Sequence, residues 1–120
     1  MIQHDKYTAA AREFLGKAQE ALSQRDLAQA SEKAWGATAQ MLKAVADRKG
    51  WPHGGHAQLY QVVRRLAEET GDHQLSTLFH VANSLHSNFY ENWLPMELVE
   101  AGLADVRQFV DKLEQLLVSP

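Results

Sequence analysis

The chain has 120 residues, 12 Lys and Arg against 15 Asp and Glu, 45% hydrophobic residues and no cysteine. That length is one domain of common size, and its apolar share supplies a single packed core without disulfide or metal support. The missing cysteine excludes a disulfide framework, a thiolate-held zinc or iron–sulfur centre and a thiol nucleophile, while a net charge of −3 disfavours the electrostatic gripping of duplex DNA.

The N-terminal stretch is interrupted by charges every few residues and does not read as a secretory signal. No uncharged window is long enough to span a bilayer, so a cytoplasmic location is expected. Apolar residues recur at helical period along the whole chain, with no sustained alternation of β-branched residues, which predicts an all-α fold. In chain order, the first helix is expected over Asp5 to Ser23, with Tyr7, Ala11, Phe14, Ala18 and Leu22 along one stripe. The second runs from Asp26, a suitable N-cap, to Arg48, with Gly50 as its stop and a stripe of Leu27, Ala30, Ala34, Thr38, Met41 and Val45. The third spans His56 to Thr70 and ends at Gly71, burying Leu59, Val62, Val63 and Leu66. The fourth spans Asp72 to Asn92 on Leu75, Leu78, Val81, Ala82, Leu85 and Phe89. The fifth opens at Pro95, which suits a first helical position, and reaches Val118 on Val99, Leu103, Val106, Val110, Leu113 and Leu117. Only the Gly50-Trp51-Pro52-His53-Gly54-Gly55 connection is rich in helix breakers, and short connections between helices predict an up-and-down bundle.

Three helices carry more apolar surface than one stripe needs. Trp35, Ala39, Leu42 and Ala46 flank the second stripe, Phe79, His86, Tyr90 and Trp93 the fourth, and Leu98, Phe109 and Leu116 the fifth. A helix apolar on two sides sits centrally or faces another subunit, and the surplus in so short a chain predicts a homodimer. Gly36 beside Trp35, in an Ala-rich helix, suggests a close helix–helix approach.

Chemistry is concentrated in six histidines, His4, His53, His56, His73, His80 and His86. His53 and His56 could offer two metal ligands from a flexible turn, but their loop holds no carboxylate, and His80 and His86 diverge around their helix, so no metal site is expected. Asn83, His86 and Tyr90 sit at spacings that line one ridge of the fourth helix, with Ser87 and Asn88 alongside. Such a ridge can do acid–base work or grip a nucleobase or phosphate; equally, it can be a half-buried histidine satisfied by its neighbours. Ser-nucleophile elbows, phosphate-cradling glycine loops and metalloprotease helices are all absent, and no cofactor is implied.

The segment DLAQASEKAWGATAQMLKAVA, the Gly-Trp-Pro-His turn with His56 opening the next helix, and ANSLHSNFYEN together resemble the PaREP-type family of the higher eukaryotes and prokaryotes nucleotide-binding (HEPN) superfamily. The resemblance runs from about Arg12 to Leu117. It implies a bundle of four to five helices, usually dimeric, with roles around RNA. Many members of the wider superfamily resemble metal-independent ribonucleases of toxin–antitoxin systems, often paired with a small nucleotidyltransferase and using an Arg and a nearby His. Here no arginine occurs between Arg65 and Arg107; His86 stands where that Arg would fall, and Tyr90 or Asn92 where the His would. Arg48 and His53 have a compatible spacing but lie after the second helix, a coincidence of sequence.

The expectation is therefore a HEPN-like helical dimer acting as a nucleotide- or RNA-binding or interaction module, with Asn83, His86, Ser87 and Tyr90, and by extension Asn88, facing the ligand. The alternatives are a ribonuclease in which His86 is catalytic, paired with its symmetry mate across a two-fold cleft, and an adaptor whose apolar flanks bind a nucleotidyltransferase partner.

Overall fold

The structure, a computed structural model, describes residues 3–118, all of whose regular elements are helical. Five helices, α1 (Gln3–Ser23), α2 (Leu27–Lys49), α3 (His56–Thr70), α4 (Gln74–Glu91) and α5 (Met96–Val118), form an up-and-down bundle. The side chain of His4 lies outside the described residues.

The helix limits follow from local chemistry. Asp26 caps α2 by accepting from the Gln29 amide at 3.2 Å, and Gly50, at φ 74°, closes it with its N–H turned back to the Ala46 and Asp47 carbonyls. Gly71, at φ 72°, ends α3 in the same left-handed conformation. Two expected starts shift slightly. Asp72 lies outside α4, one residue before the N-cap position His73, and its carboxylate accepts from the Gln74 amide at 3.0 Å. Pro95 lies outside α5, and its carbonyl accepts from the Val99 amide at 3.2 Å, as an N-cap carbonyl does.

Helix α2 is the axis of the bundle and packs against all four other helices. That explains its second apolar flank: Trp35, Ala39, Leu42 and Ala46 are all buried within the chain. Small residues let its neighbours approach. A Cβ on Gly36 would stand 3.3 Å from the Phe14 ring of α1, so the close approach suggested by the sequence is real. A Cβ on Gly102 of α5 would come within 3.1 Å of Leu85 on α4.

The flanks behind the dimer expectation are mostly used up by intrachain packing. Trp35, Leu42, Phe79 and Phe109 lie in the core, whereas Trp93 is exposed, at 70%. Its neighbours Tyr90 and Leu98 are exposed as well. No described helix is long and apolar enough to cross a membrane.

Candidate functional site

Three helices bring imidazole and indole rings together at the surface. Trp35 projects from α2 toward α3 and α4 with its indole 9% exposed. The His56 imidazole, from the first turn of α3, stacks on it at 4.7 Å and 10°. The His86 imidazole, from α4, stacks at 4.8 Å and 27°. The two imidazoles are themselves 5.5 Å apart. A sandwich would separate them by the sum of the two stacking distances, so both lie side by side on one face of the indole. Phe79 supports the indole from within the core at 6.0 Å.

Each imidazole is held by a different helix. His86 Nδ1 lies 3.0 Å from the Glu32 carboxylate of α2, one turn before Trp35. A carboxylate only accepts, so Nδ1 donates and neutral His86 keeps its lone pair on Nε2. His56 Nε2 lies 2.8 Å from Asn83 Oδ1, and the amide of Asn83 is oriented by donation from Nδ2 to the Phe79 carbonyl at 3.0 Å. His56 therefore donates through Nε2, and its neutral form keeps a lone pair on Nδ1. The pair thus presents two oriented imidazoles, each with one ring nitrogen uncommitted by these bonds.

The surroundings are wet and aromatic. His56 is exposed, and His86 and Glu32 retain side-chain exposures of 26% and 29%. The Tyr60 ring of α3 lies 5.7 Å from His56, and Tyr90, 70% exposed, meets His86 edge-on at 5.6 Å. Exposed phenols beside oriented imidazoles can stack on a flat ring and address an anion or a labile proton. Among the described residues, no group of three or more His, Asp and Glu side chains could hold a metal ion.

Of the residues expected on the ridge, Asn83, His86 and Tyr90 do border the cluster. Ser87 is exposed and takes no part in the hydrogen bonds that orient the imidazoles. Asn88 is a structural residue instead of a ligand-facing one. It is fully buried, donates to Ser31 Oγ at 2.9 Å and accepts from the Trp93 and Leu94 amides at 3.0 and 2.9 Å. Two positions past His86 on a helix, its side chain is turned inward. His53 sits elsewhere, edge-on to Tyr7 at 5.5 Å, while His73 and His80 are exposed outside the ring cluster. The single-helix view missed Glu32, Trp35, His56 and Tyr60 as members of the site. The available signal was that the SEKAWGA segment, the turn ending at His56 and the LHSNFYEN segment are the very stretches that carry the family resemblance, and all three meet here.

Fold and site together define an all-α bundle protein with a paired-histidine, aromatic surface built from three helices. The model of the archaeal PaREP1/PaREP8 family matches residues 6–110, and the chain belongs to that family. A crystal structure of a protein from Sulfolobus solfataricus is similar in fold, with a TM-score of 0.80 at 24% identity over 90% of this chain and 96% of that one. No curated protein matches the chain.

Proposed function

We propose that this chain is a HEPN-type helical module that binds a nucleotide or single-stranded RNA on the His56–Trp35–His86 surface and works as a homodimer. The observation that carries the reading is the pair of imidazoles, His56 exposed and His86 half-buried, each oriented by a separate partner and each left with one ring nitrogen for a ligand. Exposed Tyr60 and Tyr90 provide faces on which a base can stack, a contact worth about 1–3 kcal/mol per base. Self-association would use Trp93 and Leu98, exposed apolar residues in the turn after α4 and at the start of α5, and sedimentation equilibrium would then return twice the chain's mass.

Thermal shift with mononucleotides and short single-stranded RNAs tests the reading, because a ligand of the native state raises the melting temperature by mass action. The unmodified protein should gain several degrees, and His56→Ala and His86→Ala should lose that gain. No shift with any of these ligands would overturn it.

The Glu32–His86 pair favours a second reading, a metal-independent ribonuclease. Glu32 holds the tautomer that leaves His86 Nε2 free to take a 2′-hydroxyl proton as the 2′-oxygen attacks phosphorus, and His56, protonated on Nδ1 while its Nε2–H stays on Asn83, would give that Nδ1 proton to the departing 5′-oxygen as the 2′,3′-cyclic phosphate forms. The second imidazole would then come from the same chain and not from a symmetry mate. The same RNAs, end-labelled and incubated with chelator, separate the two readings: cleavage abolished in His86→Ala supports the nuclease, and intact RNA leaves the binder. An adaptor for a nucleotidyltransferase would instead require that the RNAs neither bind nor are cut.

A further inference from the structure

The ring cluster continues past His56. Tyr60, one turn further along α3, lies 5.7 Å from the His56 imidazole and meets Phe79 edge-on at 5.0 Å and 82°. Tyr60 and Phe79 also line an open groove of about 430 Å³ between α3 and α4. One phenol therefore borders both the imidazole pair and the groove.

The groove has a definite chemistry. Its deep side is apolar: Val63, Ala67 and Phe79, which line it, are all buried residues of the helix interface. Gln61, Ser76 and His80 add hydrogen-bonding groups around it. Arg64 and Glu68, also on its lining, pair with each other at 3.4 Å. Apolar depth with a polar border suits a flat ring that has hydrophobic faces and a hydrogen-bonding edge. An alkyl chain would leave the polar border unused. An anionic group would lie beside the Glu68 carboxylate, whereas the imidazole pair next door has ring nitrogens to offer.

We propose that the α3–α4 groove is the ring-binding half of the site. It takes a planar heteroaromatic ring, a nucleobase, while the attached phosphate reaches His56 and His86 past the shared wall of Tyr60. This rests on the nucleotide-binding reading above and adds to it where the base goes.

Amide NMR shift mapping tests it with three probes: adenosine or uridine, the corresponding 5′-monophosphate, and inorganic phosphate. In the wild-type protein the nucleoside should shift Val63, Ala67 and Ser76, phosphate should shift His56 and His86, and the monophosphate should shift both sets. Ser76→Trp fills the groove from α4 without touching the imidazoles. It should weaken nucleoside and monophosphate binding at least tenfold and leave the phosphate response unchanged. If the monophosphate shifts only the imidazole set, or binds Ser76→Trp as tightly as wild type, the groove assignment is overturned while nucleotide binding stands. If wild type responds to no nucleotide and no RNA, the functional reading falls and the groove falls with it. The wild-type shift map decides the matter by itself should Ser76→Trp not fold.

Discussion

Asn88→Ala is the substitution on which the architecture speaks most directly. Asn88 is fully buried and makes three hydrogen bonds that tie three parts of the chain together: Ser31 on α2, and the Trp93 and Leu94 amides of the α4–α5 turn. A net contribution of about 1 kcal/mol per bond sets the loss at roughly 3 kcal/mol, because truncation leaves two turn amides without their acceptor. For a chain of this length, that corresponds to a fall in melting temperature of about 10 °C. Urea denaturation followed by circular dichroism measures it, with the slope of the transition checked against wild type so that the change is one of stability. Part of the loss can be assigned by a double-mutant cycle with Ser31→Ala. Ser31 Oγ accepts from Asn88 and donates to the Leu27 carbonyl at 2.7 Å, so a coupling of about 1 kcal/mol between the two positions is expected. A loss below about 1 kcal/mol in Asn88→Ala, or a cycle that closes without coupling, would refute the argument that this amide clamps the turn to α2.

Thr38 offers a gain instead of a loss. Its hydroxyl is fully buried in α2 with no hydrogen-bond partner, so Thr38→Val should stabilise the fold by about 1 kcal/mol, read as a higher urea midpoint; a lower midpoint would show that the hydroxyl is satisfied. The Asp72–Lys112 pair ties the start of α4 to α5 at 2.7 Å, and the hydrogen bond from Lys112 is the main cause holding the Asp72 carboxyl below its ordinary 3.8. A carboxyl depressed in the folded state adds stability that is fully present above 3.8 and is lost as pH falls through the lower folded value. Lys112→Met should therefore raise the carbon-detected titration midpoint of Asp72 part of the way to that ordinary value, the Gln74 amide still holding it down, and the stability difference between the two proteins should shrink on acidification below it. An unmoved midpoint would remove Lys112 as the cause.

Much of the fold was legible because it is locally encoded. The helical period picks out Ala11, Ala18 and Leu22 on α1 and Leu59, Val62, Val63 and Leu66 on α3, and all of these are buried. Asp26, Gly50 and Gly71 mark helix ends through their own backbone and side-chain chemistry. The second apolar flank of α2 was open between a central helix and a subunit interface, since periodicity gives the width of an apolar face and not its partner. Closeness in sequence places Asn88 beside His86, yet the helical turn sends its side chain inward.

The site illustrates the same division. From its own order of residues the chain determined that Glu32 and Trp35 share a face of α2, and that Asn83, His86 and Tyr90 share a ridge of α4, since rotation about one helix axis is fixed by sequence spacing. Only the packing of α3 and α4 against the central α2 decided that His56 and His86 lie 5.5 Å apart over one indole, with Glu32 and Asn83 orienting them. Those contacts join residues from three helices. Which helices meet, and at what height along one another, is set by the mutual fit of their side chains across the core and by the connections between them, neither of which one helix carries by itself.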